Sequence, residues 1–135
     1  MIVTDASAIV SILMPEYDGA ALAERLARCL SSQRFVSTVS IWEAASAIGR
    51  LKSCDRRLGL SLVTRFMEAL EIAPVAPDMA ITALAIDASE RYGLGGGRPG
   101  ILNLGDCFSY ATAKHLKARL LFKGDDFSHT DIEPA

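Results

Sequence analysis

The chain has 135 residues, half of them hydrophobic and 22% charged, which bounds it to one domain, 1–135, with a real core. Fourteen Lys and Arg against sixteen Asp and Glu give a formal charge of −2, and that excludes a protein gripping nucleic acid with its whole surface. A local basic strip stays open, with Arg56–Arg57, Arg98 and Lys114–Lys117–Arg119 as candidates. No run is apolar enough to span a bilayer, and the start lacks the basic segment and cleavage pattern of a secretory signal. The three cysteines, Cys29, Cys54 and Cys107, are odd in number and lack CxxC spacing. They read as reduced core thiols of a cytoplasmic protein, not a zinc site or disulfide framework.

In chain order, Ile2 to Thr4 is a buried strand and Ala6 to Met14 a helix stopped by Pro15. Asp18 to Leu30 is a second helix, Arg34 to Thr38 a strand. Ser40 to Lys52 is a helix whose spacing buries Ile41, Trp42, Ala45, Ile48 and Leu51. Leu58 to Ile72 follows as a helix with a Leu62, Phe66, Met67 and Leu70 stripe for the core or a subunit contact. Pro74 to Ala76 is a brief edge strand, Asp78 to Tyr92 a helix and GLGGGRPG a loop. Asp106 to Lys117 is helical, Arg119 to Phe122 a strand and Gly124 to Asp126 a turn, with a weak last strand near Asp131–Ile132. Strands alternating with helices favour a parallel α/β sandwich.

Acidic residues follow β-like runs in MIVTD, RFVSTVSIWE, ILNLGD and LLFKGDD, giving Asp5, Glu43, Asp106 and the pair Asp125–Asp126. The carboxyl ends of parallel strands share one rim, so these distant acids are expected in one cleft. Crowded carboxylates repel unless protons or a cation intervene, and an all-oxygen set suits hard Mg²⁺ or Mn²⁺. Each acid also has a structural reading. Asp5 caps the next helix with Ser7 assisting, and Ser40-Ile-Trp-Glu43 matches a capping box. Asp106 suits a helix first turn, and Asp125 or Asp126 a turn. Gly95-x-Gly97-x-x-Gly100 follows a helix and is read as a loop rather than a dinucleotide fingerprint. His115 and His129 offer no acid–base pair for RNA cleavage without metal.

Taken together, IVTDASAIV, STVSIWEAASAI, LNLGDCFSYATAK and LLFKGDDFSHTDI resemble, in order and spacing, a PIN-domain ribonuclease of the VapC toxin type. The resemblance implies an α/β/α sandwich around a mainly parallel sheet of four to five strands, and an Mg²⁺- or Mn²⁺-dependent endoribonuclease leaving 5′-phosphate ends. It maps the family's first three acids onto Asp5, Glu43 and Asp106, and the fourth onto Asp125, with Asp126 as competitor. Asp5 and Asp106 would be the main metal ligands, completed by Glu43 and the fourth acid. Ser7 would hold the first acid or a water, and Arg98 would contact an RNA phosphate. The implied partners are RNA, a VapB-type antitoxin that blocks the acids, and a second copy of the chain docked through the Leu58–Leu70 region. Three other classes compete: a catalytically silent PIN-like interaction module, a metal nuclease acting on DNA or in RNA processing, and a phosphotransfer protein. The last is disfavoured because DASA lacks the second aspartate of a DxD motif.

Overall fold

Four short strands pair in parallel in the computed structural model, which describes residues 1–95 and 100–135. They are β1 (Ile2–Thr4), β2 (Arg34–Ser37), β3 (Ala73–Val75) and β4 (Arg119–Leu121), in the order β3-β2-β1-β4. Val3 stands opposite Phe35 on one side and Leu120 on the other. Side chains alternate between the two faces, as a pleated strand requires. Ile2, Val36 and Leu121 enter one apolar cluster, while Val3, Phe35 and Leu120 enter the second. Helices α1 (Ala6–Leu13), α2 (Gly19–Arg28), α3 (Thr38–Leu51) and α4 (Arg56–Ala69) cover the first face. Helices α5 (Met79–Tyr92) and α6 (Leu104–Leu116) cover the second, completing the expected α/β/α sandwich.

The strand order decides where a ligand can sit. The chain lays β2 and then β3 to one side of β1, then returns to lay β4 on its other side. The crevice beyond the carboxyl ends of β1 and β4 is therefore the point where the winding reverses, the usual ligand site of an open α/β sheet. The backbone N–H of Asp5 still donates to Leu121 at 2.8 Å, so the residue after β1 is fixed against the end of β4.

Helix starts follow their caps. Ser37 accepts from Val39 N at 3.3 Å, so α3 begins two residues before the expected Ser40. Asp55 accepts from Leu58 N at 2.8 Å and moves the start of α4 forward to Arg56. The expected last strand near Asp131–Ile132 is instead a single bridge at Pro134, two residues after Ile132. Leu120 N donates to the Glu133 carbonyl, and Ala135 N to the Leu120 carbonyl, both at 2.9 Å.

The expected buried face of α3 is partly wrong. Trp42 is 63% exposed and Leu51 is also exposed, whereas Ser40, Ala44, Ala45, Ser46, Ile48 and Gly49 are buried. Close helix approach explains the difference: a Cβ on Gly59 of α4 would stand 2.2 Å from the Ala45 carbonyl oxygen. Such a contact admits only small side chains, so Trp42 turns outward, with the Arg56 guanidinium 5.8 Å from its ring centroid. The α4 stripe behaves as core: Phe66 is buried, and Leu62, Met67 and Leu70 pack on it, leaving Leu58 and Leu60 exposed. Of the cysteines only Cys107 is fully buried, and all three are free thiols. No helix among the described residues is long and apolar enough to cross a membrane.

Candidate active site

Asp5 ends β1 and caps α1, as expected from its place before Ala-Ser-Ala. Its Oδ2 accepts from Ser7 N at 2.9 Å and Ser7 Oγ at 2.6 Å, and its Oδ1 accepts from Ser109 Oγ at 2.6 Å. A carboxylate offers about four lone-pair sites, so three of these are filled and one remains on Oδ1. Ser7 Oγ also accepts from Lys123 N at 3.0 Å. Ser7 thus holds the acid through both its backbone N–H and its hydroxyl.

Asp106 is the third residue of α6 and closes a capping box. Asn103 Oδ1 accepts from Asp106 N, and Asp106 Oδ2 accepts from Asn103 N, both at 2.9 Å. Capping therefore fixes the acid's rotamer and leaves its second oxygen without a protein donor among the described residues. Unlike Asp5, Asp106 does not come off a named strand; Leu102 makes only an isolated bridge with Gly93.

The capping box expected between Ser40 and Glu43 does not form, because Ser37 already caps α3. Glu43 lies in the second turn instead, and its carboxyl group reaches α6. A Cβ on Gly105 would stand 2.0 Å from that carboxyl, so the missing side chain at 105 is the space Glu43 occupies. There it meets the partly positive N-terminal turn of α6. Gly105→Ala is expected to leave the fold intact, or to stabilise it by up to ~1 kcal/mol through helix propensity. It would nevertheless push the Glu43 carboxyl out of place and lower the RNA cleavage that the family resemblance implies by about tenfold or more. Melting curves and initial rates on one preparation check this, and full activity in a well-folded Gly105→Ala protein contradicts the assignment of that space.

Of the two adjacent aspartates, Asp126 lines the cleft and the favoured Asp125 does not. Gly124 turns the chain after β4 with φ +87°, and the second aspartate then lines the cleft. Both aspartates are exposed, and Asp125 is absent from the cleft wall, its carbonyl accepting from Ser128 N at 2.9 Å. Asp5, Glu43, Asp106 and Asp126 thus line one open cleft of 440 Å³. Arg98 lies outside the described residues. None of Arg56, Arg57, Lys114, Lys117 and Arg119 reaches the cleft, whose described basic side chains are Arg50 and Lys123. The Lys123 ammonium is ion-paired with Glu16 and lies 3.5 Å from Asp18. Arg50 has no acidic partner among the described residues. His115 and His129 are both exposed.

Crowding shows in the ionisation of the cleft. Burial, with the charges of Asp5 and Asp106 added, raises Glu43 from 4.5 to about 7. Burial also raises Asp106 from 3.8 to about 6, opposed by the Asn103 hydrogen bond and reinforced by Asp5 and Asp126. Both acids bind protons more tightly folded than unfolded, so in metal-free protein their contribution to stability falls as pH rises through this range. Glu43→Gln mimics the protonated form. Its stability relative to the parent chain is expected to rise between about pH 4.5 and 7 and then level off. Chemical denaturation of both proteins in chelator across this range measures the difference, and a pH-independent difference would refute it.

Among the described residues no three His, Cys, Asp or Glu side chains form a ready-made metal cage. The donors line an open cleft instead. Their chemistry still fits a hard divalent ion: all are carboxylate oxygens, two are held with lone pairs free, and burial and neighbouring acids make two resist ionisation.

The PIN domain family model matches residues 2–133. A VapC ribonuclease of Rhizobium meliloti (strain 1021) is 39% identical over 138 aligned positions, covering 95% of this chain and 96% of that protein. Ribonuclease VapC42 of Mycobacterium tuberculosis is 39% identical, covering 98% of each. The crystal structure of Mycobacterium tuberculosis VapC20, titled a sarcin-ricin loop cleaving toxin, superposes with a TM-score of 0.75 at 14% identity. That match covers 100% of this chain and 98% of the other. A toxin–antitoxin complex from Klebsiella pneumoniae gives a TM-score of 0.68 at 14% identity, covering 97% and 93%. At such identities the two structures speak for the fold, while the two full-length relatives speak for descent. The chain belongs to the PIN-domain family, among the VapC ribonucleases.

Proposed function

We propose that this chain is a toxin endoribonuclease that hydrolyses RNA phosphodiester bonds at the Asp5–Glu43–Asp106–Asp126 cleft with Mg²⁺ or Mn²⁺. The convergence of those four acids at the switch point of the sheet carries the reading, in a chain 39% identical to proteins named ribonucleases. Asp5, through its one open lone pair, and Asp106, through its free oxygen, would hold the ion, with Glu43 and Asp126 completing its surroundings. A divalent ion so held supplies Lewis acidity, lowering the pKa of water and offsetting charge on the reacting phosphate. Arg50 is seven residues from Glu43 on α3, two helical turns along the same face, and its unpaired guanidinium suits an RNA phosphate beside the cleft.

The reading includes a cytoplasmic setting, a homodimer and a VapB-type antitoxin. A basic side chain of that antitoxin would neutralise the same carboxylates; the neighbour from Klebsiella pneumoniae is itself titled a toxin–antitoxin complex. The test is to incubate purified protein with matched RNA and DNA, with and without chelator, and to sequence the ends. We expect cut RNA bearing 5′-phosphates, intact DNA, and loss of cutting on chelation that Mn²⁺ restores. Undiminished cutting after thorough chelation overturns the metal reading, and preferential cutting of DNA overturns the substrate.

A further inference from the structure

Two buried hydroxyls lie behind the acids. Ser109 Oγ donates to Asp5 Oδ1 at 2.6 Å, and Ser40 Oγ stands 2.8 Å from Ser109 Oγ; both serines are 0% exposed. A serine hydroxyl has one proton. That of Ser109 is committed to Asp5, so Ser40 must be the donor to Ser109. The bonds thus run one way, from Ser40 to Ser109 to Asp5. Their placement is regular: Ser40 precedes Glu43 by three residues on α3, and Ser109 follows Asp106 by three on α6. Residues three apart share a helix face. Each helix therefore presents an acid at the cleft and, one turn away, a hydroxyl beneath it.

We propose that Ser40 and Ser109 form a directional relay that aims the Asp5 carboxylate, making Ser109, supported by Ser40, a positioning residue for the cation this cleft binds. The inference rests on the metal reading above. With Ser7 occupying both lone pairs of Oδ2, Ser109 alone decides which lone pair of Oδ1 stays open. Groups that orient a ligating carboxylate typically govern metal affinity by about 10–100-fold. Ser40 acts on Asp5 only through Ser109: without Ser40, Ser109 still donates, and without Ser109, Ser40 has nothing to aim.

The experiment is Mn²⁺ titration calorimetry on the parent protein, Ser109→Ala, Ser40→Ala and the double variant, with unfolding curves for each. Ser46→Ala is the control, since Ser46 is also buried on α3 and its hydroxyl has no partner among the described residues. Ser109→Ala is expected to weaken Mn²⁺ binding about tenfold or more, and Ser40→Ala by a smaller factor. The double variant should bind no worse than Ser109→Ala alone, because the two act in series. Ser46→Ala should bind as the parent does. Additive losses in the double variant, or Ser109→Ala binding with parental affinity, would overturn the relay. A parent protein that binds no Mn²⁺ would instead overturn the metal reading on which it rests. Should Ser109→Ala fail to fold, the relay stands or falls on Ser40→Ala, where unchanged affinity overturns it.

Discussion

Asp5→Asn is expected to lower RNA cleavage on the order of 10³-fold while the protein stays folded. Two facts separate chemistry from stability here. Asparagine caps a helix about as well as aspartate, so the amide oxygen can still accept from Ser7 N at the start of α1. Ser109 Oγ can accept from the new amide nitrogen in place of donating to Oδ1, so no buried group need lose its partner. What disappears is the negative charge and the one carboxylate lone pair left open toward the cleft. A melting temperature within a few degrees of the parent, together with a collapsed cleavage rate and lost Mn²⁺ binding, is the expected combination. Retention of more than a tenth of the parental rate in a folded Asp5→Asn protein would show that the carboxylate is not part of the chemistry.

The acids were readable in the sequence for unequal reasons. Asp5 directly follows β1 and the GDD turn begins three residues after β4 ends, and the parallel sheet carries those strand ends to one rim. Asp106 was readable as a first-turn acid, although its placement by Asn103 comes from a cap three residues earlier. Glu43, expected at the cleft because it follows a β-like run, does line it, and its competing structural reading as a capping-box acid fails. A capping box at Ser40 would have tied it to its own helix; the actual cap at Ser37 frees it to cross to α6, where Gly105 makes room. Trp42 shows a different limit. Helical spacing puts it on the apolar side, but the α3–α4 contact at Gly59 is too close for an indole, and a long-range fit of that kind leaves no trace in local periodicity. The same holds for Ser109 and Ser40. Ser109 reads as an ordinary small helical residue and Ser40 as a helix cap, until the fold brings 69 positions of separation down to one hydrogen bond.

Asp126→Asn is expected to lower cleavage about 10²-fold, whereas Asp125→Asn leaves it within about twofold. The two side chains are neighbours of the same charge, so bulk electrostatics changes equally in both variants, and only placement separates them. Both are exposed, but Asp126 lines the cleft and its charge helps hold Asp106 at about 6, whereas Asp125 does not line the cleft. A second readout independent of turnover follows. In metal-free protein, removing the Asp126 charge relieves a like-charge repulsion, so the Asp106 carboxyl should titrate at lower pH in Asp126→Asn and at its parental pH in Asp125→Asn. Carbon-detected NMR of the Asp106 carboxyl follows that titration directly. A downward shift in Asp125→Asn, accompanied by the larger loss of activity, would return the fourth position to the first aspartate and mean that the turn at Gly124 points the other residue inward. If both variants are inactive but only Asp126→Asn moves Asp106, then Asp125 serves the RNA rather than the cation, because only its neighbour is electrically coupled to the acid that would hold the ion.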